Sequence, residues 1–174
     1  MYFTCTYWRN LDRLGIMHLT TFSDLGLRTL MVLGDEGDRG QLQTIGELAE
    51  NLNASRNHMS KVVAKLAELG MVDAVRGRNG GVQISEKGRH ASVGKLLRVL
   101  EGPGEVVDCE GGMACPLAAR DCALRHRLAA AQEAFFAALD GDTVAELIAQ
   151  TKLKPGRPVS IGLPNSIGLT NPSP

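Results

Sequence analysis

The stretch "TIGELAENLNASRNHMSKVVAKLAELGMVDAVRGRNGGVQIS", Thr44–Ser85, decides the fold. Thr44 and Glu47 stand three apart at its start, the spacing of a capping box that opens a helix. Ile45, Leu48, Ala49 and Leu52 then share one apolar face. Asn53–Ala54 breaks the pattern, and Ser55 is placed to cap a second helix. Met59, Val62, Val63, Leu66 and Leu69 recur at helical spacing along it, and Gly70 stops it. "MVDAV" reads as a strand, "RGRNGG" as a tight basic turn, and "VQIS" as the returning strand. Two short helices across a tight break, followed by an arginine-bearing hairpin, give the layout of a winged helix-turn-helix. The expected fold class is mainly α, with a small β-hairpin wing.

Working outward, "TTFSDLGLRTLMVLGDEGDRG" (Thr20–Gly40) reads as a preceding helix. Thr21 or Ser23 can cap it, Asp24 suits its positive end, and Leu27, Leu30 and Met31 line one face. Downstream, "SVGKLLRVLEGPGEVVD" (Ser92–Asp108) gives a helix through Leu96, Leu97 and Leu100, ended by Gly102–Pro103. "DCALRHRLAAAQEAFFAALD" (Asp121–Asp140) is a long helix. Its Leu124, Leu128, Ala131, Phe135 and Ala138 recur at alternating spacings of four and three, a seam that buries against a partner helix. A homodimer with this helix in its interface is expected. Thr143 and Glu146 form a second capping box ahead of a last short helix.

The chain therefore divides into an N-terminal extension (1–16), a DNA-binding domain (17–100), a cysteine loop (101–122), dimerisation helices (123–151) and a tail (152–174). The extension shows no periodicity, and Met17 is read as the natural start. Prolines and glycines interrupt any period in the tail, which is expected to be disordered.

Of the 174 residues, 44% are hydrophobic but only 4% aromatic, so the core must be aliphatic, which favours packed helices. No apolar run approaches the ~20 residues of a membrane span, and the N-terminus has no secretory signal. A cytoplasmic protein is expected. The formal charge of zero is a cancellation: Arg56–Arg98 carries a net +6 and Val99–Thr151 a net −6. The positive half contains the reading head, as a polyanion-binding surface requires.

Opposite the apolar stripe of the second head helix lie Arg56, Asn57, Ser60, Lys61 and Lys65. The first residues of a recognition helix reach base edges in the major groove. Arg56 can read guanine and Asn57 adenine, while Lys61 and Lys65 suit phosphates. Arg76, Arg78 and Asn79 belong to the wing, whose arginines can enter the minor groove or hold its phosphates. Double-stranded operator DNA is the expected partner. No constellation of convergent acids and bases suggests an enzyme.

Three of the four cysteines fall in "CEGGMACPLAARDC", as Cys109, Cys115 and Cys122; Cys5 stands apart in the extension. Structural zinc usually takes four ligands from tighter C-x2–4-C knuckles. Soft thiolates on looser, glycine-bearing loops also suit an iron–sulfur cluster. A cluster held by three cysteines needs a weaker fourth ligand or leaves one iron open, which makes a poor staple and a good sensor. A zinc or thiol-based redox module is the alternative.

These features together resemble the iron–sulfur winged-helix repressors of the NsrR/IscR type. The resemblance runs from about Met17 to Gln150. It rests on "LTTFSDLGLRTLMVL", on the reading head with its "GRNGG" wing, and on "LEGPGEVVDCEGGMACPLAARDC". "VVDCEGGMACPL" looks most like the nitric-oxide-sensing branch. One departure is the second cysteine spacer, which is one residue longer than the family's five. The resemblance implies a homodimeric repressor with a [4Fe–4S] cluster, or alternatively [2Fe–2S], that releases operator DNA on reacting with nitric oxide. Sensing of iron or cluster status is the alternative signal. The resemblance also implies that Asp24, from the other subunit, is the fourth ligand. His126 is the competing candidate, displaced by one residue from the position another branch uses. Arg28 and Glu101 can pair across the same interface, with ordinary surface pairing as the alternative.

Overall fold

A computed structural model describes residues 19–35, 41–77, 80–104, 106–107, 109, 115–117 and 120–151. The extension with Cys5, the wing residues Arg78 and Asn79, the interior of the cysteine loop and the tail lie outside the described residues. The elements run α1 (Thr21–Gly34), α2 (Ile45–Asn51), α3 (Arg56–Glu68), β1 (Val72–Val75), β2 (Gly81–Ile84), α4 (Glu86–Arg89), α5 (Val93–Glu101), α6 (Ala123–Ala138) and α7 (Val144–Gln150). None of the described helices is long and apolar enough to cross a membrane. The described residues form two compact units. One joins Leu25–Ala91 to the segment from Thr143; the other joins the residues up to Asp24 to Ser92–Asp142.

The first unit is the winged helix-turn-helix. Thr44 caps α2: its hydroxyl accepts from the Glu47 amide at 3.2 Å while the Glu47 carboxylate accepts from the Thr44 amide at 2.7 Å. Those bonds hold the Glu47 carboxyl below its ordinary range. Asn53 turns the chain between α2 and α3 with φ of +50°, a left-handed conformation that asparagine tolerates. Ser55 caps α3. Met59, Val62, Val63 and Leu66 are buried, as their spacing requires, and so are Leu30, Leu48, Ala49 and Leu52 of the same aliphatic core. The Thr29 hydroxyl donates to the Leu25 carbonyl at 2.7 Å and meets the Met59 sulfur at 3.5 Å, so this buried polar group is satisfied.

The antiparallel hairpin pairs Val72 with Ile84 and Val75 with Gly81. A Cβ on Gly80 would stand 2.2 Å from the Val75 carbonyl oxygen, so only glycine permits this turn. Gln43 adds a single antiparallel bridge to Val82 on the far side of β2. Ser85 opens the one-turn α4, accepting from the Gly88 amide and donating to the Gly70 carbonyl. α7 packs back on this unit, where Ile148 fills the space over Gly34.

The second unit is built on α5 and α6. The Gly94 amide donates to the Leu139 carbonyl at 3.0 Å and the Val93 amide to the Asp142 carbonyl at 2.9 Å. Arg98 on α5 clamps two carboxylates of the α6 end. Its guanidinium reaches Glu133 at 2.5 Å and Asp140 at 2.6 Å and lies 5.6 Å from the Phe136 ring centroid. These bonds hold both carboxyls below their ordinary range and raise the guanidinium further. Gly102, with φ of +72°, ends α5.

Candidate nucleic-acid interface and cysteine loop

The reading head presents α3 as expected. Arg56, Asn57, Ser60 and Lys61 are all exposed on its first turns, opposite the buried stripe. The Ser60 hydroxyl donates to the Arg56 carbonyl at 2.8 Å, one turn back on the same helix. Lys65 is half-buried and paired with Glu68 at 3.0 Å, so part of its charge is already neutralised. Arg76 is exposed at the end of β1, while Arg78 and Asn79 lie outside the described residues.

The Arg56 guanidinium folds back across α2. A methyl group on Gly46 would stand 2.6 Å from its Nη2 and 3.1 Å from its Cζ. Both residues line a cleft of about 460 Å³ shared with Thr44, Val75 and Gly81. Arg56 makes no ion pair among the described residues. Sequence reasoning missed Gly46, because nothing in a helix pattern says which side chain will lie over a glycine. It also missed Lys87, whose ammonium donates to the Leu69 carbonyl at 2.8 Å and satisfies the end of α3.

In the second unit, Cys109, Cys115 and Cys122 are all half-buried and none is in a disulfide. The Cys115 amide donates to the Cys109 carbonyl at 3.4 Å, a long bond that draws the ends of the C-x5-C segment together. Cys122 is the N-cap of α6 but makes no side-chain capping bond, so its thiol is not spent on the helix. A cavity of about 340 Å³ opens beside it, lined by Val106, Arg120, Arg125 and His126 among others. Cationic side chains and a helix N-terminus suit an anionic group held by thiolates. Among the described residues of the single chain, no three Cys, His, Asp or Glu side chains converge on one point. By donor type, three thiols suit a thiolate-bound iron–sulfur group, and the resemblance leaves a further ligand to Asp24 or His126.

The two candidates for that completion are placed differently. His126 is hydrogen-bonded to Asp121 on the solvent side. Asp24 sits in the first turn of α1, half-buried. Thr20, rather than Thr21 or Ser23, caps that helix: its hydroxyl accepts from the Ser23 amide at 3.2 Å, and Ser23 itself is fully buried. The Glu101 carboxylate accepts from the Thr20 amide at 2.8 Å and from its hydroxyl at 3.2 Å. Glu101 is the last residue of α5, directly before the cysteine loop. The mouth of the loop is therefore tied to the cap of the helix that carries Asp24. That link spans 81 residues and leaves no trace in local sequence pattern.

Among the described residues, the expected seam of α6 is only partly covered, with Leu128 half-buried. Leu124 is 63% and Phe135 38% exposed, and Phe136 is the one residue of the helix that is buried.

Comparison with known proteins agrees with this architecture. The family described as "Rrf2: Iron-dependent Transcriptional regulator" matches residues 19–150. The HTH-type transcriptional repressor NsrR of Streptomyces coelicolor is 47% identical over 147 residues, covering 84% of this chain and 96% of that protein. Among solved structures, CymR, the global cysteine regulator of B. subtilis, superimposes with a TM-score of 0.57 at 23% identity, covering 78% of this chain and 99% of that one. IscR of T. potens does so with a TM-score of 0.57 at 20% identity, covering 77% and 88%.

Proposed function

The chain belongs to the Rrf2 family of transcriptional regulators, and on that premise we propose that it is a cytoplasmic, homodimeric repressor that binds operator DNA and lets go when an iron–sulfur cluster reacts with nitric oxide. The observation that carries the proposal is the pair of Glu101–Thr20 bonds, which tie the end of α5, where the cysteine-bearing segment begins, to the cap of α1. The family's iron-dependent description supports iron as the metal, and the identity to NsrR supports the repressor branch.

Cys109, Cys115 and Cys122 would hold the group, [4Fe–4S] or alternatively [2Fe–2S], with Asp24 of the partner subunit as the fourth ligand. When bound, the group supplies an iron that a small diatomic molecule can attack where the ligand is a hard, labile carboxylate. This chain's residues do the rest. Glu101 holds the Thr20 cap, and the cap fixes the first turn of α1 and with it the direction of the Asp24 carboxylate. Were the Asp24 carboxylate without its partner across the interface, α1 would be free to move against the other subunit. Two reading heads must sit one helical turn of DNA apart to engage both half-sites, so a shift of α1 weakens binding without touching a DNA contact. The exposed Leu124 and Phe135 of α6 supply the apolar surface for the second copy.

Purification without oxygen tests the cofactor. The account expects iron and inorganic sulfide in a near one-to-one ratio and visible absorption. A colourless protein holding zinc instead would overturn it. Sensing of iron or cluster status is the second reading, favoured by the family's iron-dependent description. It predicts release of DNA on iron chelation with no special response to nitric oxide.

A further inference from the structure

Arg56 opens the recognition helix, where a side chain normally reads a base. Its guanidinium does not extend along the exposed face of α3. It lies back over Gly46 on α2, close enough that a methyl group there would stand 2.6 Å from Nη2, 3.1 Å from Cζ and 3.4 Å from Nε. The Nη2 end of the guanidinium thus stands nearest the glycine, in space that a side chain at this position would occupy. No carboxylate among the described residues pairs with it. A cation thus lies at the rim of the cleft between α2 and the hairpin, where Thr44 and Gly81 are also found.

In a docked helix-turn-helix the second helix enters the major groove, while the first crosses the sugar–phosphate backbone. A guanidinium seated on the first helix therefore faces backbone, not base edges. We propose that Arg56 is a phosphate clamp rather than a base reader, and that Gly46 is the positioning residue that gives its guanidinium room on α2. This rests on the DNA-binding reading above and revises the base contact that the sequence position of Arg56 suggests. Base reading then falls to Asn57, the next exposed residue of α3.

The two roles differ in salt dependence and specificity. A phosphate contact weakens all sequences alike and contributes about one unit to the slope of log affinity against log salt. A base contact changes the ratio of specific to random binding. The test uses the full chain, purified without oxygen, with a duplex selected by the wild-type chain from a random pool and a random duplex of equal length. Arg56→Ala is expected to weaken both by a similar factor, with the slope reduced by about one and the specificity ratio unchanged. Arg56→Lys should keep most of the slope. Gly46→Ala, which strengthens helix propensity and so should fold, is expected to weaken both duplexes by a smaller factor. It should have no further effect in the Arg56→Ala background. A tenfold fall in specificity ratio with an unchanged slope for Arg56→Ala would overturn the clamp. So would a Gly46→Ala effect that adds in full to that of Arg56→Ala. If the wild-type chain does not prefer its selected duplex over the random one, the DNA-binding reading itself fails. If Lys61→Ala alone lowers the slope while Arg56→Ala leaves it unchanged, the reading stands and the clamp does not.

Discussion

Adding one methyl group at Gly94 should open the joint between α5 and α6. A Cβ there would stand 2.2 Å from the Phe136 carbonyl oxygen and 2.5 Å from the Asp140 carboxylate. The first neighbour is backbone and cannot swing away, so the helices must part by about 1.2 Å for that contact to become ordinary. Overpacking of this kind costs about 1–3 kcal/mol. The Gly94–Leu139 and Val93–Asp142 backbone bonds, at 3.0 and 2.9 Å, lengthen with the movement, and each contributes about 1 kcal/mol net. Better helix propensity returns at most about 1 kcal/mol. The expected net loss is about 2 kcal/mol, or roughly 8 °C in Tm at about 4 °C per kcal/mol. Thermal unfolding of Gly94→Ala against wild type measures it. Gly141→Ala is the control, since a Cβ there meets no atom within 4 Å. It should lie within about 0.5 kcal/mol of wild type, the usual effect of a surface substitution. A Gly94→Ala protein as stable as the Gly141→Ala one would refute the close approach on which the α5–α6 joint depends.

Three further outcomes are expected. Cys109→Ala, Cys115→Ala and Cys122→Ala should each lose iron and sulfide on anaerobic assay, while Cys5→Ala keeps both; full iron in the Cys115→Ala protein would remove it from the ligand set. Asp24→Ala should assemble a more fragile, spectrally altered cluster, whereas His126→Ala should not, because His126 is engaged by Asp121; a change confined to the His126 variant would put the fourth ligand within one chain. Arg98 lowers the pKa of both Glu133 and Asp140, so its clamp is complete above the ordinary carboxylate range and is lost as pH falls through the lowered values. The stability difference between wild type and Arg98→Leu should therefore shrink as pH drops from 7 to about 3, and denaturant titrations showing a constant difference would sink the assignment.

The reading head was legible because its signals are local. The capping boxes at Thr44–Glu47 and Thr143–Glu146 form as their spacing requires, and the Met59, Val62, Val63 and Leu66 stripe is buried. Features made by distant partners were not legible. Arg98 meets Glu133 across 35 residues, Thr20 meets Glu101 across 81, and Gln43 bridges Val82 as a single residue with no period to reveal it. The cap of α1 moved from Thr21 or Ser23 to Thr20 for the same reason: the burial of Ser23 follows from packing, not from its neighbours. The Lys65–Glu68 pair was locally spaced, yet a lysine on a recognition helix reads equally well as a phosphate contact. The run of three cysteines was evident from composition, but among the described residues no three Cys, His, Asp or Glu side chains converge on one point, and no local spacing says which further residue would join them.

The central claim is that the state of the cluster controls DNA binding. The most direct test is a titration of the anaerobically purified chain, bound to a fluorescently labelled operator duplex, with nitric oxide, following visible absorption and fluorescence anisotropy in one cuvette. The account predicts that the cluster absorption bleaches and the anisotropy falls over the same range of added nitric oxide, and that the Asp24→Ala protein releases DNA at lower additions. Full loss of cluster absorption with the duplex still bound would contradict it.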